Sequence, residues 1–421
     1  MRTLAEWLAL HESVHPKAID LDLTRVSLVA QALGLTAPPF RVITVAGTNG
    51  KGSTVAHADA LLRALGAATG MFTSPHFLRY NERIRVGGAE VGDAELIAAF
   101  ERIEAARGAT TLTFFEYNTL AALSIFAARR VDVAVLEVGL GGRLDATNLL
   151  AADVAVLTSV GFDHRDYLGD TLELIGAEKA GIFRAQRPAV LGTPDMPPSV
   201  FARIAALPAR ALIAGRDFSW QVRADGWSYR GIEVSLDELP APGLAGSIQY
   251  RNAATALAAV EALGVPAALT ASRVSAALGD VRLAGRMQIV AGPVEWILDI
   301  AHNEPAARVL AEHLRERALP APGGHTIAVV GVLADKDAAG IAAAVAGRVD
   351  AWIVCALPGA RGTSAAELAR RLALGDADLT FAASVEAGCA IAAKRARPGD
   401  RVVVFGSVYT VGPALEWLRI Y

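Results

Sequence analysis

The chain has 421 residues, of which 53% are hydrophobic, and a formal net charge of −3. Its length predicts two or three domains with a large core, and the near-neutral charge argues against a nucleic-acid binder, which carries a basic excess. Cys355 and Cys389 stand far apart in no metal-ligand pattern, no apolar run reaches membrane-spanning length, and MRTLAEWLALHESVH lacks the features of a signal peptide, so a reduced cytoplasmic protein is expected.

Along the chain, AIDLDLTRV alternates Ile19, Leu21 and Leu23 with polar residues, as a stretch packed on one side does. RVITVA, 41–46, reads as a buried strand and runs directly into GTNGKGST, Gly47 to Thr54. Gly47 and Gly50 allow a tight turn that exposes backbone N–H groups. Lys51 brings a compact positive charge to β- and γ-phosphates. Ser53 and Thr54 open the helix STVAHADALLRALG, whose N-terminal dipole favours an anion. Strand, glycine loop and helix in this order predict a nucleoside triphosphate site. The loop departs from G-x-x-x-x-G-K-[ST] in carrying Val45 at the first glycine position and Gly52 directly after the lysine.

TSPHFLRYNERIRV, 73–86, is too polar for a strand throughout and reads as a loop presenting donors from Arg79, Arg83 and Arg85. Helical stretches follow at 93–107 and 116–130, then a strand at 132–138. Glu137 falls at the carboxyl end of that strand, where open α/β sheets bind ligands, and a carboxylate there suits the Mg2+ that accompanies phosphates. In GLGGRLDATN, Gly139, Gly141 and Gly142 permit close backbone approach, and Asp145 can accept polar hydrogens from a substrate. TSVGFDHRDYLG leaves a strand at 153–158 and offers Asp163, His164 and Asp166; His164 is as well explained by a hydrogen-bonded structural role as by metal ligation. In EKAGIF, Lys179 adjoins Glu178, which reads either as an ion pair or as a carbamylated lysine.

A further strand is expected at 188–192, an antiparallel hairpin around Asp225-Gly226 within 216–238, and a helix at 251–264. VEWILDI, HTIAVVGVL, AWIVCAL and RVVVFGSV then read as four more buried strands. DIAHN places Asp299, His302 and Asn303 at one strand end, and FGSVYTVG places Ser407 at another. The alternation predicts an α/β protein of two domains. Residues 1–284 form a P-loop ATPase-like, mostly parallel sheet with a small antiparallel addition, and 285–421 a smaller Rossmann-like domain. Ligands are expected in the cleft between them.

Together AGTNGKGST, SPHFLRYNERIRV, LTFFEYNTLAAL, LEVGLGGRLDATN, DHRDYLG, EKAGIFR, NAATALAA, GRMQIV, DIAHN, GVLADKD and GSVYTVG resemble the bacterial folylpolyglutamate synthases in their bifunctional form with dihydrofolate synthase, within the wider Mur ligase group. The resemblance implies an ATP-dependent ligase that phosphorylates a pterin carboxylate and joins it to the amine of L-glutamate. Dihydropteroate would give dihydrofolate, and reduced folates would gain further glutamates. By motif matching, Gly47, Thr48, Asn49, Gly50, Lys51, Gly52 and Ser53 would cradle the phosphates, with Asn252, Arg286 and Asp299 on ATP. Ser74, Glu137 and His164 would hold Mg2+, two ions in all. Lys179 would be carbamylated and would act with Lys51 and His302 in catalysis. Asp20, Leu21, Asp22, Thr113, Phe115, Leu144, Asp145, Ala146 and Ser407 would serve pterin and glutamate. AIDLDLTRV resembles the dihydropteroate-binding segment of bifunctional members. Two departures are Asp22, where a glycine is frequent, and Glu304-Pro305, where Asn-Pro-His or similar is usual.

The resemblance also implies a monomer without nucleic-acid or membrane partners. Three alternatives stand beside it. One is a monofunctional folylpolyglutamate synthase. Another is a Mur-type amino-acid ligase on another acceptor, against which the lack of a separate nucleotide-sugar domain before Gly47 weighs. The third is an ATP-binding regulatory module, against which intact Glu137, His164, Asp299 and His302 weigh.

Overall fold

A computed structural model describes residues 2–264 and 268–421 and divides the chain into two compact units. The first comprises Met1–Gly243 with Tyr250–Val281, the second Leu244–Gln249 with Arg282–Tyr421.

The first unit is built on eight strands: β1 Arg41–Ala46, β2 Thr69–Phe72, β3 Ile84–Val86, β4 Ala89–Glu90, β5 Val133–Glu137, β6 Val154–Leu157, β7 Pro188–Leu191 and β8 Arg210–Ile213. They lie in the order β4-β3-β2-β5-β1-β6-β7-β8. Strands β2 to β8 run parallel apart from β3, which joins β2 and β4 antiparallel. The apolar runs of β1, β5, β6 and β7 are the strands that the sequence predicts, because a parallel sheet covered by helices on both faces buries every side chain of its central strands.

On one face, Phe72, Phe100, Tyr117 and Phe126 pack with the helices Leu4–Val14, Thr24–Ala32, Asp93–Arg107 and Phe114–Ala128. Burying each such aromatic ring contributes about 1.5–3 kcal/mol. The other face buries Leu157, Ile182, Phe183 and Val200. Strands β9 Ser219–Arg223, β10 Gly226–Arg230 and β11 Ser235–Leu239 form a separate antiparallel sheet, with Ala224 and Asp225 turning the β9–β10 hairpin.

The segment expected as a donor-presenting loop, 73–86, is more ordered than its polarity implies. Ile84–Val86 pairs with β2, and the carboxylate of Glu82 gathers the N–H groups of Phe77, Leu78 and Arg79 at 2.7, 2.8 and 2.5 Å. The arginines are occupied locally: Arg79 and Arg85 both reach Glu90, and Arg83 donates to His76 at 2.7 Å.

The second unit carries β12 Gln288–Val290, β13 Glu295–Asp299, β14 Thr326–Val330, β15 Ala351–Cys355, β16 Leu379–Ala382 and β17 Arg401–Phe405, ordered β12-β13-β17-β14-β15-β16. All pairs are parallel except β12 with β13. The four buried runs expected there are β13, β14, β15 and β17. The outer strands β12 and β16 add the remainder and are largely half-buried, so no apolar run marks them. Buried Arg401 donates to Glu295 at 2.8 Å and to the carbonyls of Arg317 and Ala318, closing the end of the helix Glu304–Glu316.

Candidate active site

Four neighbouring parallel strands, β2, β5, β1 and β6, deliver the site from their carboxyl ends. Ser74 follows β2, Glu137 ends β5, Gly47 to Lys51 follow β1, and Thr158 to His164 follow β6. Backbone N–H groups and helix N-termini collect at this end of an α/β sheet, which makes it the anion-binding end.

The glycine loop turns through Gly50 at φ +87° and opens the helix Lys51–Ala64, with the Thr54 N–H bonding to the Gly50 carbonyl at 2.9 Å. Lys51 Nζ donates to the carbonyls of Gly47 and Thr48 at 3.0 and 3.2 Å, which keeps its charge over the loop. Thr48, Ser53 and Asn252 are all buried, and a Cβ built on Gly50 would stand 2.8 Å from Asn252 Oδ1. Asn252 is therefore brought to the loop.

The loop is braced by residues that sequence reasoning passed over. Thr158 and Ser159 hydroxyls both donate to the Asn49 carbonyl, at 2.7 and 3.1 Å. The Thr48 hydroxyl donates to the Gly161 carbonyl at 3.1 Å and accepts from the Gly161 N–H at 2.9 Å. The available signal is the hydroxyl pair Thr158-Ser159 directly after a buried strand. Gly47, at φ +151°, fits against this brace: a Cβ there would lie 1.9 Å from Thr158 Oγ1. Gly47→Ala is expected to destabilise the protein by about 1–3 kcal/mol and to weaken binding of an ATP analogue about tenfold or more. Thermal melts and nucleotide titration check this, and unchanged affinity would contradict it.

Glu137 is 3% exposed, and one of its oxygens accepts the Ser74 N–H at 3.2 Å. His164 sits in the left-handed region at φ +51°, ahead of the short helix Arg165–Leu168, with its N–H on Asp163 Oδ1 at 2.9 Å. The structure thus joins Ser74 to Glu137 directly. Among the described residues no three His, Cys, Asp or Glu side chains form a ready metal cluster. A buried carboxylate with a hydroxyl residue beside a phosphate loop is an oxygen donor set that fits Mg2+, which keeps waters and shares phosphate oxygens rather than filling an all-protein cage.

Lys179 lies 5% exposed at the end of the helix Leu172–Lys179, and its amine donates to the Gly47 carbonyl at 3.2 Å. Burial, reinforced by the Lys51 charge, lowers its pKa to about 7, against the pull of Asp163 and Asp145. The ion pair read between Glu178 and Lys179 does not form: Glu178 pairs with Arg143 at 2.8 Å. Adjacent helical residues point about 100° apart, so one faces solvent and the other the loop.

The pterin-side candidates also converge. Thr113 caps the helix Phe114–Ala128 in a reciprocal pair with Glu116, at 2.7 and 3.2 Å. A Cβ on Gly139 would meet the Phe115 ring at 2.5 Å, so only glycine lets the two segments touch. Asp145 is buried, which raises its pKa, and its oxygens accept from Leu140 N–H at 2.9 Å, Thr147 N–H at 3.0 Å and the Thr147 hydroxyl at 2.7 Å. This carboxylate, read from sequence as a substrate acceptor, organises its own loop and so presents Leu144 and Ala146. Asp20, Leu21 and Asp22 form a half-buried link between two helices, and Asp22 accepts the Thr24 N–H at 2.6 Å.

In the second unit, Asp299 ends β13 and accepts the N–H groups of Met287 and Ala301, both at 2.9 Å. Burial raises its pKa against the opposing charge of Arg286. His302 Nδ1 bonds to the Ile300 carbonyl at 2.9 Å. Asn303 caps the helix Glu304–Glu316, where Glu304 and Pro305 suit the first turn, so the departure there continues an ordinary helix start. Ser407 is buried and caps the helix Val408–Trp417 through the Tyr409 N–H at 3.2 Å.

A phosphate loop and a buried carboxylate on adjoining strand ends make a nucleoside triphosphate site, and the family matches make the chain an ATP-dependent ligase of the Mur type. Residues 45–260 match the Mur ligase middle domain and residues 285–408 the Mur ligase, glutamate ligase domain. The dihydrofolate synthase/folylpolyglutamate synthase of Escherichia coli is 44% identical over 98% of this chain and 95% of its own length, and that of Haemophilus influenzae 40% over 97% and 96%. This chain belongs to the dihydrofolate synthase/folylpolyglutamate synthase family of Mur ligases. Its fold superposes on E. coli FolC in complex with DHPP and ADP with a TM-score of 0.94 at 41% identity, covering 99% of this chain and 98% of that one. A bifunctional folylpolyglutamate synthase/dihydrofolate synthase with Mn, AMPPNP and L-glutamate bound gives 0.91 at 42%, covering 100% and 99%.

Proposed function

We propose that this chain joins L-glutamate to dihydropteroate, giving dihydrofolate, and to reduced folates, extending their glutamate tail, at the expense of ATP. The observation that carries this reading is the pairing of the Lys51 loop with buried Glu137 on neighbouring strand ends, in a chain related to bifunctional members over 98% of its length. A carboxylate oxygen of the pterin acid attacks the γ-phosphorus, and ADP leaves. The amine of L-glutamate then attacks the acyl carbon, phosphate departs, and an amide forms with loss of one amine proton.

Lys51 and the N–H groups of Gly50 to Ser53 hold the phosphates and offset the charge that builds during transfer, while the Thr48 and Asn49 N–H groups are taken by Ser159 and fix the loop. Ser74, Glu137 and His164 would hold Mg2+, which would supply positive charge to offset that of the phosphates. Asn252, Arg286 and Asp299 serve the nucleotide. Thr113, Phe115, Leu144 and Ala146, with the 20–22 segment, shape the pterin side. His302 and Ser407 help place glutamate or the nucleotide. Lys179 adds CO2 through its neutral amine, R–NH2 + CO2 giving R–NH–COO− and a proton, and the resulting anion orients the metal side of the loop. The protein works as a cytoplasmic monomer; no helix among the described residues is long and apolar enough to cross a membrane.

The test is phosphate release with Mg-ATP and L-glutamate, comparing dihydropteroate, tetrahydrofolate and a muropeptide acceptor. Turnover with both pterins is expected. Turnover with the muropeptide alone would overturn the reading, and turnover with tetrahydrofolate alone would reduce it to a monofunctional enzyme.

A further inference from the structure

Residues 15–23, between the helices Leu4–Val14 and Thr24–Ala32, have neither helix nor strand to hold them. They are held by side chains centred on Asp20. His15, with only 8% of its side chain exposed, bonds through Nε2 to Asp20 Oδ2 at 3.0 Å and through Nδ1 to the Thr111 hydroxyl at 2.9 Å. Arg25 donates through Nη1 to Asp20 Oδ2 at 2.9 Å and through Nη2 to the Asp20 carbonyl at 2.8 Å. The same Nη2 lies 3.3 Å from Glu116 Oε1, whose carboxylate is 4% exposed. The other oxygen of Glu116 accepts the Thr113 N–H.

Asp20 is therefore tied to the chain on both sides of Thr113, at Thr111 and at Glu116. One oxygen of this carboxylate, Oδ2, is engaged in the clamp, and Lys17 Nζ stands 3.5 Å from the other. Leu21 and Asp22 remain to present the segment, beside the Thr113–Phe115 wall.

We propose that Arg25 is a positioning residue: with His15, Asp20 and Glu116 it presets the 20–22 segment against the pterin wall and so sets the preference for dihydropteroate over reduced folates. The proposal rests on the pterin reading given above. An irregular segment held in one conformation binds without the loss of affinity that comes when only a fraction of molecules has it in place. Tetrahydrofolate already carries a glutamate, and its reactive carboxylate lies further from the pterin, so its ligation depends less on how this segment is set.

Arg25→Met and Glu116→Gln test this. Glutamine at 116 keeps the helix cap, since Gln serves in that position as Glu does, and removes the charge facing Arg25. Both variants are expected to raise KM for dihydropteroate about tenfold or more. They should leave kcat and KM for tetrahydrofolate within about twofold, with the protein still fully folded at the assay temperature. Arg25→Lys restores charge without the fork and should recover only part of the loss. Equal losses with both acceptors, or a fall in Tm that accounts for the loss, would mean the clamp is only structural and would overturn the proposal, as would unchanged kinetics. If Arg25→Met fails to fold, Glu116→Gln decides alone. A wild-type protein inert with both pterins overturns the functional reading itself, and is recognised before any variant is made.

Discussion

Glu137→Gln is expected to lose about a thousandfold or more in kcat while keeping its fold. Glutamine retains the shape and an oxygen for the Ser74 N–H, so the hydrogen bond at the end of β5 survives and only the charge is removed. Glu137→Ala should be at least as inactive. The accompanying measurement is Mn2+ binding in the presence of a non-hydrolysable ATP analogue, followed by the paramagnetic resonance of free ion. Affinity should fall tenfold or more, on the order of 1.4 kcal/mol. Wild-type turnover in Glu137→Gln would remove the metal role from this residue and leave the loop as the sole charge-handling element.

The second large effect falls on Lys179. Lys179→Met, which replaces the buried amine by an apolar chain of similar length, is expected to lower kcat about 100-fold or more. Wild-type protein in 13C-labelled bicarbonate should give a carbamate resonance that is absent from the variant. The pH dependence has a definite sign. Burial lowers the pKa from 10.5 to about 7, so the amine is an unreactive ammonium below pH 7 and a neutral nucleophile above it. Without CO2, holding this lysine costs stability that is nil above pH 10.5, grows as pH falls towards 7, and is full below 7. Bicarbonate at pH 8 should therefore raise the Tm of wild type and leave Lys179→Met unmoved. Wild-type activity in the variant, or no labelled carbon, would establish the lysine as a plain buried donor to Gly47.

Much of the sheet was legible in the sequence because its central strands are continuous apolar runs. Strands β2, β3, β4 and β8 escaped because threonine, glycine, arginine or glutamate interrupts these short runs, whereas the equally short β6 and β7 are continuously apolar. Lys51, Glu137 and the hairpin at Asp225 were visible because each depends on residues near in sequence. The Thr158-Ser159 brace was not, since its meaning arises only when β6 pairs with β1 more than 100 residues away. The Glu178–Lys179 pair misled for the opposite reason: proximity along a helix is not proximity of side chains. Asp145 and Asp20 were singled out in the sequence, but the hydrogen bonds by which their carboxylates hold their own loops were not legible, because the partners are set by the fold.

The strand order β2-β5-β1-β6 has a consequence for how the protein comes into being. Glu137 and Thr158 meet the loop after β1 only through parallel pairings, and such pairings require long crossovers to close first. No fragment of the nascent chain short of Thr158 contains a braced loop. Nucleotide recognition is thus acquired only when the sheet closes through β6, and the glycine loop made on its own is not yet a binding site.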